Sequence, residues 1–178
     1  MMALSFRLIA SIWVSVLFLS ASTVSDRKVS IPFRELTGIL HGNQIGRQEN
    51  HLFFKNNHYT FVHYIDQQEC SICQMQAFYQ WDDVIDAVGR NDVDYCFIVH
   101  PDKDTNLSRI TAVLKENYFS RPVFIDQEGV FWKKNRALFE KGLCHSFVLN
   151  ADGDVIIEGN PMHSPAILQR MKNMQKMK

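Results

Sequence analysis

The chain has 178 residues, and its nineteen basic and nineteen acidic side chains cancel, so no bulk field draws it to nucleic acid or an anionic membrane. That length supports one domain with a real core and is too short for two independent ones. Its composition, 46% hydrophobic and 21% charged, reads as ordinary globular, and four cysteines are too few for a disulfide scaffold.

The first stretch reads apart from that domain. Arg7 is the only charge before Asp26, Leu8 to Leu19 is apolar, and the small residues Ser20, Ala21 and Ser22 follow. A basic start, a short apolar run and a small-residue exit describe a secretory signal peptide, expected over 1–22 with cleavage within 20–25. The run falls short of the roughly 20 residues of a spanning helix, so a retained N-terminal anchor is the competing expectation. Near residue 20 there is no cysteine to carry a lipoprotein lipid. Export implies an extracytoplasmic, periplasmic location, where a disulfide can persist. Residues 23–50 are polar and mixed, and read as a leader with one short strand near 36–40.

From residue 51 strands and helices alternate. His51 to Phe54 reads as a short strand closed by the turn signal Asn56-Asn57. Thr60 to Ile65 is apolar with little alternation, as expected of a strand covered on both faces. Met75, Phe78, Trp81, Val84, Ile85 and Val88 recur at helical spacing and stop at Gly89. Tyr95 to Val99 is a second buried strand, halted by Pro101. Asp104 or Thr105 is the expected cap of a helix with the stripe Leu107, Ile110, Val113 and Leu114. Pro122 to Ile125 is a short strand turning at Asp126–Gly129, and Phe131 to Phe139 reads as helical. Ser146 to Leu149 and Val155 to Ile157 flank Asn150–Asp154, a hairpin signal. Ser164 and Pro165 open a last helix with the stripe Ile167, Leu168, Met171 and Met174. This order argues an α/β fold, a mixed central sheet with helices on both faces.

Cys70-Ser71-Ile72-Cys73 lies between the Thr60–Ile65 strand and the first helix. Two cysteines three apart at a helix start can close a small disulfide, and the helix terminus helps to set the reactivity of the first thiol. That makes the pair a candidate redox centre, with a static structural disulfide as the plainer alternative. Cys96 lies inside an apolar strand and reads as core. His41, His51, His58, His63 and His100 show no metal-ligand spacing, and no metal or cofactor is expected.

The element order with the dithiol at the first helix resembles the thioredoxin fold. More closely, Phe61–Cys73, Phe97–Asp102, Pro122–Gly129 and Phe147–Gly159 resemble the extracytoplasmic TlpA/ResA-like thiol–disulfide oxidoreductase and redoxin group of bacteria. Pro122-Val123-x-x-Asp126-x-x-Gly129 and Phe147-x-Leu149-x-x-Asp152-Gly153-x-Val155 are its most specific matches. The resemblance implies a three-layer thioredoxin-like domain over 51–178, with Cys70 attacking and Cys73 resolving. It also implies cysteine-containing exported proteins, or a redox partner protein, as partners; membrane contact would come only through a retained N-terminal segment.

Two positions depart from that group. Where it usually carries a cis proline facing the dithiol, this chain has Cys144-His145-Ser146, and a trans bond is expected, since cis before a non-proline costs about 2.5–4 kcal/mol. Cys144 and His145 are nonetheless the candidate substrate-facing residues; with the dithiol they are also the one set able to complete a zinc site. Cys144 alone reads as a third redox thiol or a small space-filler. Six residues before Cys70, where many thioredoxins bury a carboxylate, stands Tyr64. Glu69, beside Cys70, disfavours a thiolate, while the Ser71 hydroxyl is placed to donate to one. The missing proline leaves open a redox-inactive binding module whose disulfide only staples a helix start.

Overall fold

The computed structural model describes residues 28–54, 58–89, 93–139 and 145–174; the expected signal peptide, and Asn56-Asn57, lie outside them. Seven strands form one sheet: β1 (Thr37–Leu40), β2 (Asn43–Ile45), β3 (Tyr59–Ile65), β4 (Val93–Val99), β5 (Val123–Ile125), β6 (Ser146–Asn150) and β7 (Val155–Glu158). Their order across the sheet is β2-β1-β5-β4-β3-β6-β7. The central β5, β4 and β3 are parallel, and β1 and β6 join them antiparallel. The helices are α1 (Ser71–Gln76), α2 (Gln80–Val88), α3 (Leu107–Glu116), α4 (Val130–Lys134), α5 (Arg136–Phe139) and α6 (Pro165–Met174).

Side chains alternate across the sheet and so divide the core in two. Phe61, Ile65, Phe97 and Val99 face α1, α2, α3 and α6, meeting Met75, Phe78, Trp81, Ile110, Leu114 and Met171. Val62, Tyr64, Ile98 and Phe124 face the other way, toward Phe131 of α4, Leu138 of α5, and Val29 and Leu36 ahead of β1. The result is the three-layer arrangement that the element order predicts.

The described part of the segment read as a leader belongs to this sheet. The expected strand near 36–40 is β1, paired to β5, and β2, unforeseen, hairpins onto it. Ahead of it, the Val29 N–H donates to the Gly153 carbonyl at 2.8 Å. The buried Asn135 then bonds both backbone groups of Ser30, at 2.8 and 2.9 Å.

Three sequence expectations are corrected. His51 to Phe54 forms no strand: Asn50–Phe53 is a 3-10 helix. Its first side chain, the buried Asn50, donates to the carbonyls of Phe33 and Leu36 at 2.8 and 2.9 Å, pulling the segment inward. A Cβ on Gly38 would lie 2.3 Å from the Asn50 Oδ1, so only glycine fits there.

The helix after the dithiol is divided at residues 77–79, where the N–H groups of Ala77, Phe78, Gln80 and Trp81 bond three residues back. This tighter winding keeps Met75, Phe78 and Trp81 buried on one side. The Asn117 amide caps the Met75 carbonyl at the break, at 3.0 Å. Finally, α3 is capped by Asn106, whose Oδ1 accepts from the Arg109 N–H at 2.9 Å; Asp104 and Thr105 are instead bound to Asp102.

Phe97 lies at the centre of the larger core, fully buried, with the rings of Phe61, Phe78, Trp81 and Phe119 at centroid distances of 5.1–6.4 Å. A Phe97→Ala change is expected to cost about 3–5 kcal/mol of stability, measured by urea denaturation. A loss below about 1 kcal/mol would contradict this packing.

Candidate active site

β3 and β4 end side by side at Ile65 and Val99, and β6 enters the same edge at Ser146. Loops leaving the carboxyl ends of parallel strands converge at such an edge. One of them makes a turn at Asp66, whose Oδ1 and carbonyl accept from the Gln68 and Glu69 N–H groups at 2.9 and 3.0 Å. Cys70 follows in extended conformation as the cap of α1, its sulfur accepting from the Cys73 N–H at 3.2 Å. Cys70 and Cys73 are disulfide-bonded, with Cα atoms 5.3 Å apart, and both residues are exposed.

Ser71 between them is buried. Its N–H donates to the Asp102 carboxylate at 3.4 Å, and its hydroxyl oxygen accepts from the Asp102 N–H at 3.1 Å. The hydroxyl expected to serve a thiolate is therefore turned to Asp102. His145 Nδ1 lies 3.2 Å from Glu69 Oε1, and the His145 carbonyl accepts from the Tyr64 N–H at 2.7 Å. His145 is thus held beside β3 and against the residue that precedes Cys70. Cys144 lies outside the described residues. Among those described, no peptide bond is cis and no three His, Cys, Asp or Glu side chains are grouped to hold a metal ion.

No family model matches the chain, and no curated protein matches it in sequence. Solved structures do match. A thioredoxin-like protein in its oxidised form is similar with a TM-score of 0.53 and 14% identity, over 81% of this chain and 96% of that one. A candidate protein disulfide isomerase from Bacteroides thetaiotaomicron has a TM-score of 0.50 and 15% identity, over 84% and 93%. A candidate electron transfer protein from Aquifex aeolicus VF5 has 0.50 and 15%, over 82% and 96%.

The fold is thioredoxin-like.

Within this thioredoxin-like fold the motif Pro122–Gly129 has a structural task. The buried Asp126 caps α4, accepting from the Val130 and Phe131 N–H groups at 2.7 and 2.9 Å. Gly129 takes φ +63°, and a Cβ there would press to 2.9 Å from the His100 ring. His100 in turn meets the Tyr64 hydroxyl, Nδ1 to oxygen, at 3.1 Å. Burial, reinforced by Asp66 and Asp126, pushes the Tyr64 phenol far up, so this position carries a neutral hydroxyl. Cys96 lies in the core of β4, its thiol raised by burial and then by Asp94, and takes no part at the edge.

His63 is a satisfied core residue, as its setting in an apolar strand suggests. Its Nδ1 lies 2.8 Å from the Ser146 hydroxyl, and its ring packs 4.6 Å from that of Trp81. Burial, then His145 and His163, lower its pKa from 6.5 to about 3. Between those values the unfolded chain binds a proton that the folded chain excludes. This contribution to stability is therefore complete above pH 6.5 and is lost as pH falls toward 3, by up to about 1.4 kcal/mol per unit. A His63→Leu variant is expected to lose less stability than the native chain between pH 6.5 and 4, measured by urea midpoints. Parallel profiles for the two proteins would contradict the assignment.

Proposed function

We propose that this chain is an exported thiol–disulfide oxidoreductase that exchanges electrons with cysteines of other exported proteins, or of a redox partner protein, through Cys70 and Cys73. The observation that carries the reading is the disulfide-bonded, solvent-exposed pair at the start of α1 on a thioredoxin-like fold. Export rests on the N-terminal sequence pattern, with the periplasm as the compartment. Among the described residues no helix is long and apolar enough to cross a membrane.

In the reducing direction, the Cys70 thiolate attacks one sulfur of a partner disulfide, and the partner's other sulfur leaves as a thiolate and takes a proton. Cys73 then loses its proton and attacks the Cys70 sulfur, releasing the second partner sulfur. Two electrons pass from the dithiol to the partner, and the Cys70–Cys73 disulfide closes. The oxidising direction is the reverse. Cys70 takes the intermolecular bond because it precedes α1, while Cys73 lies within the helix. His145, fixed beside Glu69, stands where a docking partner's chain would pass, and Cys144 precedes it.

A second reading, a redox-inactive binding module, is favoured by the same His145–Glu69 contact, since it occupies the edge that related proteins open with a proline. Trapping separates the two. A Cys73→Ala variant is expected to accumulate mixed disulfides through Cys70 with exported cysteine proteins, and the native chain to accelerate insulin reduction by dithiothreitol. Failure of both would leave the binding module. Stoichiometric zinc in protein purified under reducing conditions would displace the redox reading.

A further inference from the structure

Asp102 lies on the loop between β4 and α3, yet it meets Ser71, the buried residue next to Cys70. Its carboxylate accepts from the Ser71 N–H at 3.4 Å, from the Thr105 hydroxyl at 2.8 Å and from the Asp104 N–H at 3.1 Å. Its own N–H closes the pair by donating to the Ser71 hydroxyl at 3.1 Å. Every one of these donors is neutral, so they stabilise the charge without cancelling it. The Thr105 hydroxyl first, helped by the Asp104 and Ser71 backbone groups, holds this carboxyl below the usual range, and it is ionised at neutral pH.

Two consequences reach Cys70, the neighbour of Ser71. The Ser71 N–H and hydroxyl are engaged by Asp102 and not by the sulfur, which has the Cys73 N–H. The Asp102 charge, held on the N–H of the residue next to Cys70, also disfavours the thiolate. The titratable groups on the segments packed around the dithiol are Asp66 and Glu69 before it, His100, Lys103 and Asp104 beside Asp102, and His145 ahead of β6. Of these, Glu69 faces His145.

We propose that Asp102 is a positioning residue of the redox pair: through Ser71 it clamps the start of α1, and by its charge it holds Cys70 toward the thiol and the couple toward its disulfide. The proposal rests on the redox reading of Cys70 and Cys73. A less stable thiolate makes the reduced form less stable, so Asp102 biases the pair toward giving electrons to a partner.

The test is the pH dependence of Cys70 alkylation by iodoacetamide in the Cys73→Ala background, with and without Asp102→Asn. The amide keeps an acceptor for the Ser71 N–H and removes the charge. Its midpoint is expected to fall by roughly half a unit to one unit. Asp102→Glu, which keeps the charge, is expected to stay nearer the parent. In the two-cysteine protein, Asp102→Asn is expected to shift the equilibrium with glutathione toward the dithiol by up to about tenfold. Should Asp102→Asn fail to fold, Asp102→Ser reads the same way. An unmoved or raised midpoint in the neutral variant overturns the proposal. Alkylation needs no partner protein, so an absence of trapped partners would sink the redox reading without deciding this one.

Discussion

Strand β3 has to be covered on both faces and paired on both edges, and the rest of the molecule is arranged to do this. β4 lies parallel along one edge over seven residue pairs, and β6 lies antiparallel along the other over five. Phe61 and Ile65 fill one face, Val62 and Tyr64 the other. A strand so enclosed has no freedom of register, because a slip of one residue would exchange its two faces. The polar His63 is accommodated only because Ser146, opposite it on β6, supplies a hydroxyl. The end of β3, and with it the place where the chain leaves the sheet toward Cys70, is therefore fixed.

The dithiol inherits its setting from that end point. The Tyr64 N–H holds the His145 carbonyl, and the His100 N–H holds that of Ile65, so the sheet's pairing continues past the strands into the loops of the site. His145 is thereby brought to Glu69, and the chain after His100 to Ser71. Cys70 stands between a carboxylate facing an imidazole and a carboxylate held by neutral donors. On the redox reading, its reactivity is a balance of these charges against the N–H groups of α1, in a pair whose two residues are exposed.

Where the pattern in the sequence is local, it foretells the structure well. β3 and β4 show as apolar runs, the β6–β7 hairpin as Asn150–Asp154 between apolar pairs, and α6 as Ser164-Pro165 followed by its stripe. The misread places are governed by partners distant in sequence. Asn50 looks like an ordinary turn residue until its amide meets Phe33 and Leu36. Asp104 and Thr105 are sound helix caps in isolation, and lose that role because Asp102 binds both. The division between α1 and α2 leaves the apolar spacing intact, so spacing alone could not show it. The cysteine pair was visible from its spacing; the tie between Ser71 and Asp102 spans 31 residues and was not.

The position six residues before Cys70 bears on how the chemistry could run. A buried carboxylate there would offer an internal acceptor for a thiol proton, whereas Tyr64 is a neutral phenol facing the His100 ring. The phenol can donate a hydrogen bond but cannot take up a proton at neutral pH, because burial holds it protonated and a second proton on its oxygen is far too acidic. On the redox reading, the proton leaving Cys73 passes to water, which the exposure of both cysteines permits. The rate-controlling ionisations then belong to the sulfurs and the charges around them. On that reading the loops, and not the core beneath them, set the terms on which the disulfide opens.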